Sequence, residues 1–196
     1  MPAPSPTHRD DRPGRLGPDG QPVVIVLASG QGKRFRASGG AGSKLQALLA
    51  GKPVLQHTLE AVRASGLPWH LEDAGHPGMG DSIAAAVRAT PHARGWLILP
   101  GDLPLVRAGT LRAVAGALCA GTEVVVPVHQ GRRGHPVAFD RACGAELMRL
   151  SGAGGAAAVL RAHRVRDLET EDPGVLTDID TLADLAQAAR QLGGTG

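Results

Sequence analysis

Aromatic side chains are nearly missing from this chain. There is no tyrosine, and two phenylalanines and two tryptophans are the whole set in 196 residues. The core must therefore be built from Leu, Val, Ile and Ala, as in a sheet sheathed by small-residue helices, and so few rings argue against a stacking platform for single-stranded nucleic acid. Cysteine is equally scarce. Cys119 and Cys143 stand alone, with neither a zinc-knuckle spacing nor a disulfide scaffold, which fits a reducing cytoplasm. No apolar run approaches the roughly 18 residues that a spanning helix needs, and the N-terminus lacks the apolar centre of a signal peptide. Long runs of one charge are absent too: 21 Lys and Arg are interleaved with 18 Asp and Glu, for a net charge of +3. Without a basic stripe or reader motif, no nucleic-acid partner is expected. These absences together predict a cytoplasmic protein with neither membrane nor nucleic acid as partner.

What is present has a clear order. The length suits one well-buried α/β domain and is short for two. Residues 1–21, rich in Pro, Gly, Asp and Arg, read as a disordered tail, and 193–196 as a flexible end, leaving a single domain over 22–192. Residues 22–28 form a continuous β-branched run, the mark of a buried parallel strand. A loop is expected over 29–43, with Lys44 opening a helical run. A helix is expected over 53–64 and a short edge strand over 69–71. Further on come a helix over 80–89, a buried strand over 95–102, a helix over 108–119 and strands over 122–128 and 135–139 joined by a loop at 131–134. A helical run over 143–162, broken at 152–155, is followed by short strands at 165–168 and 175–176 and a closing helix over 181–189. Such alternation predicts a mostly parallel, doubly wound sheet covered on both faces, a three-layer α/β sandwich whose ligands bind beyond the carboxyl ends of the strands.

Two loops at that edge carry chemistry. The first is Leu27-Ala28-Ser29-Gly30-Gln31-Gly32-Lys33-Arg34-Phe35. A dinucleotide fingerprint would need glycine where Phe35 stands and an acid about 20 residues on, but residues 45–59 contain none. A kinase-type loop would need Ser or Thr after Gly-Lys, whereas Gly32-Lys33 leads to Arg34 and Gly51-Lys52 leads to Pro53. What remains is a glycine turn whose amides and cations can both face phosphate, with a plain turn and solvated cations as the alternative. Lys44 ends the flexible Gly39-Gly40-Ala41-Gly42-Ser43 segment and offers a mobile point charge; a solvated surface lysine is its alternative. Arg34 is placed for the β- and γ-phosphates, where departing pyrophosphate gathers charge.

The second loop is Pro100-Gly101-Asp102-Leu103-Pro104. A carboxylate at the end of a buried apolar strand suits a nucleotide-bound Mg²⁺, which keeps several waters and asks for one or two carboxylates. A turn aspartate capping its own backbone is the competing reading. Asp180 is a second candidate acid, with a helix N-cap as its alternative. In Gly78-Met79-Gly80-Asp81-Ser82 the amides around Gly80 and the Ser82 hydroxyl can meet a base or ribose. In Gly131-Arg132-Arg133-Gly134-His135-Pro136, His135 can face an acceptor while Arg132 and Arg133 meet a phosphate, unless this is only a charged hairpin tip.

These segments, in this order, resemble the molybdenum-cofactor nucleotidyltransferase family, MobA-like NTP transferases. The likeness runs from residue 22 to about 190 and includes Gly51-Lys52-Pro53-Val54-Leu55 and Asp178-Ile179-Asp180-Thr181. Gly134-His135-Pro136 leans toward the cytidylyltransferase branch. The resemblance implies attack by the terminal phosphate of molybdopterin on the α-phosphorus of CTP, with Mg²⁺ and release of pyrophosphate. GTP as donor, or another phosphorylated acceptor, is the alternative. It assigns the nucleotide to Leu27, Ala28, Ser29, Gly30, Gly32, Lys44, Gly80 and Ser82, catalysis to Arg34, Lys44 and Asp102, the metal to Asp102 and Asp180, and the acceptor to Arg132, Arg133 and His135. Two departures stand out. Ser29 replaces the family's usual Ala, and residues 67–77 are too few for the strand–helix–strand passage the family carries there, which shortens one sheet edge and part of the base-pocket wall. A non-catalytic accessory of molybdoenzyme maturation, working with a maturation partner, is the reading that this shortening favours. The small size and the edge prolines Pro68 and Pro77 predict a monomer with an open edge.

Overall fold

The computed structural model describes residues 20–30, 32–119 and 121–193. Most of the expected tail at 1–21 and of the expected flexible end at 193–196 lies outside them. In chain order the elements are β1 (Val23–Leu27), α1 (Lys33–Ala37), β2 (Leu48–Leu49), β3 (Lys52–Pro53), α2 (Val54–Ser65), β4 (Trp69–Glu72), α3 (Met79–Ala89), β5 (Gly95–Pro100), α4 (Ala108–Ala117), β6 (Val124–His129), β7 (Arg132–Arg133), β8 (Val137–Asp140), α5 (Gly144–Leu147), α6 (Ala157–Ala162), β9 (Val165–Glu169) and α7 (Leu182–Gly193).

Seven strands form one sheet in the order β4-β1-β5-β8-β6-β7, with β9 beside β6. β1 is parallel to β4 and β5, and β6 is parallel to β9. β8 runs antiparallel between β5 and β6, and β7 pairs antiparallel with the end of β6. Both faces of the sheet are covered, which is why β1 is buried along its whole length. Val24, Val26, Leu97 and Leu99 face α2 and α4 through Leu59, Val62, Leu111 and Val114. Val23, Ile25, Trp96 and Ile98 face α3, α5 and α6 through Ile83, Val87, Leu147 and Val159. Each such aliphatic side chain contributes roughly 1.5–3 kcal/mol on burial. A third cluster, Phe35, Leu49, Val54, Ile179 and Ala188, fastens α1 and α7 over the carboxyl edge of the sheet. Among the described residues no helix is long and apolar enough to cross a membrane.

The three-layer, doubly wound α/β architecture expected from the sequence is present, with a mixed sheet. The antiparallel insertion of β8 has a simple cause: a connection as short as 130–136 can only turn the chain back, since a parallel return needs a crossover of a dozen residues or more. Other elements depart locally from expectation. The 29–43 loop contains the one-turn helix α1, anchored by Phe35, whose ring occupies the space that a side chain at Gly40 would need. Lys44 opens no helix; it lies in a turn leading to the small β2–β3 hairpin. The 131–134 loop contains the short strand β7. Residues 175–176 fall in a 3₁₀ turn over Pro173–Leu176, because the Asp172 carboxylate accepts the Gly174 amide and Pro173 supplies no amide for a ladder. At the shortened edge β4 is outermost, and residues 73–78 lead directly into α3.

Candidate active site

The site is assembled where β1 and β5 end side by side. The Gly101 amide donates to the Leu27 carbonyl at 2.9 Å, and Thr58 Oγ1 donates to the Gly101 carbonyl at 3.0 Å. A Cβ on Gly101 would stand 3.0 Å from that Leu27 oxygen and 2.9 Å from Leu55 Cδ1. Only glycine lets the strand end lie this close, which fixes Asp102 beside the glycine loop. The Ile179 amide donates to the Asp102 carbonyl at 3.0 Å and brings the 178–180 segment to the same place.

Three of the expected residues meet there. Lys44 Nζ lies 2.5 Å from Asp102 Oδ2 and 2.7 Å from Asp180 Oδ1, with the three side chains 12%, 14% and 18% exposed. Arg34, on the exposed face of α1, reaches Asp180 Oδ2 at 2.5 Å. Burial alone would depress the Lys44 ammonium, but the Asp102 and Asp180 carboxylates outweigh it and hold its pKa above the usual lysine value. Burial likewise pushes the Asp180 carboxyl up, and Lys44 and Arg34 overcome it, leaving its pKa below the usual value. The alternative reading of Asp180 as a helix cap is not how it is used. Thr181 and Asp184 cap α7 reciprocally: the Thr181 amide donates to Asp184 Oδ2 at 2.7 Å and the Asp184 amide to Thr181 Oγ1 at 3.2 Å. The Asp180 carboxylate is thus left for the cations.

A cavity of about 290 Å³ opens beside this cluster, lined among others by Leu27, Ser29, Gly30, Lys44, Ser82 and Asp102. The Ser29 and Ser82 hydroxyls lie 2.7 Å apart, so the serine that replaces the family's usual alanine ties the glycine loop to α3. The Gly80 amide is already engaged, donating to the Gly152 carbonyl at 2.8 Å. Gly78 and Gly80 admit the Ser151–Gly155 loop, since a Cβ on Gly78 would stand 2.3 Å from Gly152 backbone atoms. His76 and Pro77, in the short segment after β4, supply cavity wall, and His76 Nε2 lies 3.2 Å from Glu72 Oε1. The wall expected to be lost with the shortened segment is therefore partly made by that segment. Sequence reasoning passed over His76 and the 151–155 loop. The signal available for both was their position: one directly before the Gly-Met-Gly-Asp turn, the other a glycine break in a helical run.

His135 belongs to a second, mostly apolar cavity of about 200 Å³ that shares Leu27, Met79 and Pro100 with the first. Its Nδ1 is buried without a hydrogen-bond partner among the described residues, and burial pushes its pKa below the usual imidazole value, opposed in part by Asp102. Arg132 and Arg133 line neither cavity. Both are exposed on the β7 hairpin, where the Arg133 guanidinium forks onto Asp167 at 2.8 and 3.1 Å. The structure does not bring them to the Asp102 cluster.

The donor set fits a divalent cation carried in by phosphates. Asp102 Oδ1 is buried with no hydrogen-bond partner among the described residues, and Asp180 is a second acid within reach of the same ammonium. Among the described residues no group of three or more His, Cys, Asp or Glu is arranged to cage an ion unaided. One or two carboxylates are what a nucleotide-borne Mg²⁺ requires.

Residues 61–168 match the family described as the MobA-like NTP transferase domain. Over 118 residues the chain is 30% identical to the bifunctional protein GlmU of Xylella fastidiosa (strain 9a5c), a match covering 48% of this chain and only 25% of that protein. The crystal structure of Rv0371c from Mycobacterium tuberculosis H37Rv is 26% identical, with a TM-score of 0.71 over 87% of this chain and 98% of that one; Rv0371c has also been crystallised as a complex with manganese. The fold is shared by molybdopterin-guanine dinucleotide biosynthesis protein A from Archaeoglobus fulgidus, 20% identical, with a TM-score of 0.62 over 88% of this chain and 99% of that one.

Proposed function

The chain belongs to the MobA-like NTP transferase domain family, and from that premise we propose that it transfers a nucleoside monophosphate from a nucleoside triphosphate to a small phosphorylated acceptor. The observation that carries this reading is Lys44, held between Asp102 and Asp180 beside a cavity walled by the glycine loop. An acceptor phosphate oxygen bonds to the α-phosphorus, the bond from that phosphorus to the β-bridging oxygen breaks, and pyrophosphate leaves with the electron pair. Lys44 and Arg34 neutralise the leaving pyrophosphate, and the Leu27–Gly32 loop orients the donor. No covalent enzyme intermediate is needed, so the work of the chain is positioning and charge compensation. Mg²⁺, when bound, neutralises charge on the phosphates; Asp102 and Asp180 would hold it. The manganese complex of Rv0371c supports a divalent ion in this fold.

For the finer assignment we favour molybdopterin as acceptor and GTP as donor, on the likeness to the Archaeoglobus protein named for molybdopterin-guanine dinucleotide biosynthesis. CTP is the second reading, supported by Gly134-His135-Pro136. That support weakens because His135 lines the neighbouring cavity rather than the one beside Lys44. A screen of molybdopterin and Mg²⁺ against the four ribonucleoside triphosphates, read by pyrophosphate release, separates the readings. Fastest release with GTP is the expected result, and fastest release with CTP reverses the donor assignment. No release with any donor supports the accessory role instead.

A further inference from the structure

We propose that Lys44 is an internal stand-in for the divalent cation, so that metal binds firmly only together with the triphosphate that draws this lysine away. The proposal rests on the reading above that Asp102 and Asp180 are the metal-side acids.

Both carboxylates already have a cation of the chain's own. Lys44 contacts each of them within 2.7 Å, and Arg34 adds a second cation on Asp180. Asp102 and Asp180 thus face two cations, with Asp178 as a further acid beside them, and an incoming metal ion meets a pair whose closest oxygens are occupied. The Lys44 side chain is 12% exposed, so water screens these contacts poorly. Asp102 Oδ1, which has no hydrogen-bond partner among the described residues, offers a single ligand.

A triphosphate changes this balance. The Lys44 stem runs against Gly32, where a Cβ would lie 3.6 Å from its Cγ. From that stem the flexible ammonium can serve either the acids or phosphates held by the loop. Arg34 starts from the exposed side of α1 and has the same choice. Once both cations turn to phosphate, Asp102 and Asp180 are released together as a pair with two negative charges. Metal and nucleotide then strengthen each other's binding, and linkage requires the coupling to be reciprocal. The device would keep the acids from capturing a metal ion that arrives without substrate.

The test is a nucleotide-free Mn²⁺ titration of the whole chain, following free Mn²⁺ by electron paramagnetic resonance, with wild type, Lys44→Met and Arg34→Gln. Lys44→Met keeps the stem and removes the charge; it should bind Mn²⁺ at least tenfold more tightly than wild type. Arg34→Gln should shift binding the same way by less. If Lys44→Met binds Mn²⁺ no more tightly than wild type, the exchange is wrong. Should Lys44→Met fail to fold by circular dichroism, Arg34→Gln decides: tighter binding supports the exchange and unchanged binding overturns it. No Mn²⁺ binding by any of the three overturns the proposal along with the metal assignment. Transfer is scored separately. An active wild type with unchanged Mn²⁺ affinity in Lys44→Met loses only the exchange, whereas an inactive wild type with tightened affinity in Lys44→Met loses only the transfer reading.

Discussion

Burial lowers the His135 imidazole pKa: its Nδ1 is enclosed without a hydrogen-bond partner among the described residues, and the Asp102 charge only partly offsets the lost water. Its pKa in the folded chain therefore lies below the unfolded value of about 6.5. Below that pH the unfolded chain binds the proton more readily, so this contribution to stability is present above about pH 6.5 and is lost as pH falls toward the folded pKa. His163 acts in the opposite sense. The Glu146 carboxylate raises its pKa, so its contribution is present below about pH 6.5 and fades as pH rises through the folded value. Urea melts from pH 5 to 7.5 on wild type and His135→Asn isolate the first effect. Wild type should lose stability on acidification more steeply than the variant, and parallel profiles would show that His135 does not titrate across folding. Asp180 carries a similar lesson about context. It sits just ahead of a helix, the ordinary place for a cap, yet Thr181 and Asp184 do the capping. A carboxylate freed from that duty is available to Lys44 and Arg34.

At the scale of elements, α3 and the Ser151–Gly155 loop meet through close glycine contacts and through the Asp81 carboxylate, which accepts the Gly152 amide at 2.8 Å. Gly78→Ala would drive a methyl into the Gly152 backbone. It should cost roughly 1–3 kcal/mol, as overpacking typically does, and appear as a lowered thermal midpoint; an unchanged midpoint would mean that the loop is free to move aside. The long elements were legible in the sequence because burial on both faces leaves a continuous apolar run, as in β1, and one-sided burial leaves a helical period, as in α2. Short elements were not. β7 and the β2–β3 hairpin are two-residue pairings that carry no periodic pattern. That β8 is inserted between β5 and β6 depends on the strand order, a property of the whole sheet. In the site, Asp102, Lys44 and Asp180 were each legible as a charge at a strand or loop end, but their meeting depends on the Ile179–Asp102 backbone bond across the fold. Nothing in the sequence reveals that Asp167, on β9, lies opposite Arg133 and pairs with it.

For the molecule as a whole, the feature of most consequence is the outer edge of β4, which among the described residues pairs only with β1. An open edge invites association unless it is short or interrupted. Here the strand is four residues long, Pro68 directly precedes it, and the Arg63 guanidinium lies over the Trp69 ring at 5.5 Å. Light scattering at micromolar concentration should therefore give the mass of a single chain; a stable dimer that dissociates on Leu71→Lys would make this edge an interface. The shortened 67–77 segment retains a cavity wall through His76 and Pro77, so the same compact fold can serve catalysis. The central claim is that nucleotidyl transfer takes place beside Asp102. It is tested most directly by incubating the protein with Mg²⁺, molybdopterin and GTP labelled at the α-phosphate, for wild type and Asp102→Asn. Wild type should move the label onto molybdopterin while Asp102→Asn, folded by circular dichroism, moves almost none. Equal transfer by the two proteins, or none by wild type with GTP or with CTP in its place, would contradict the account.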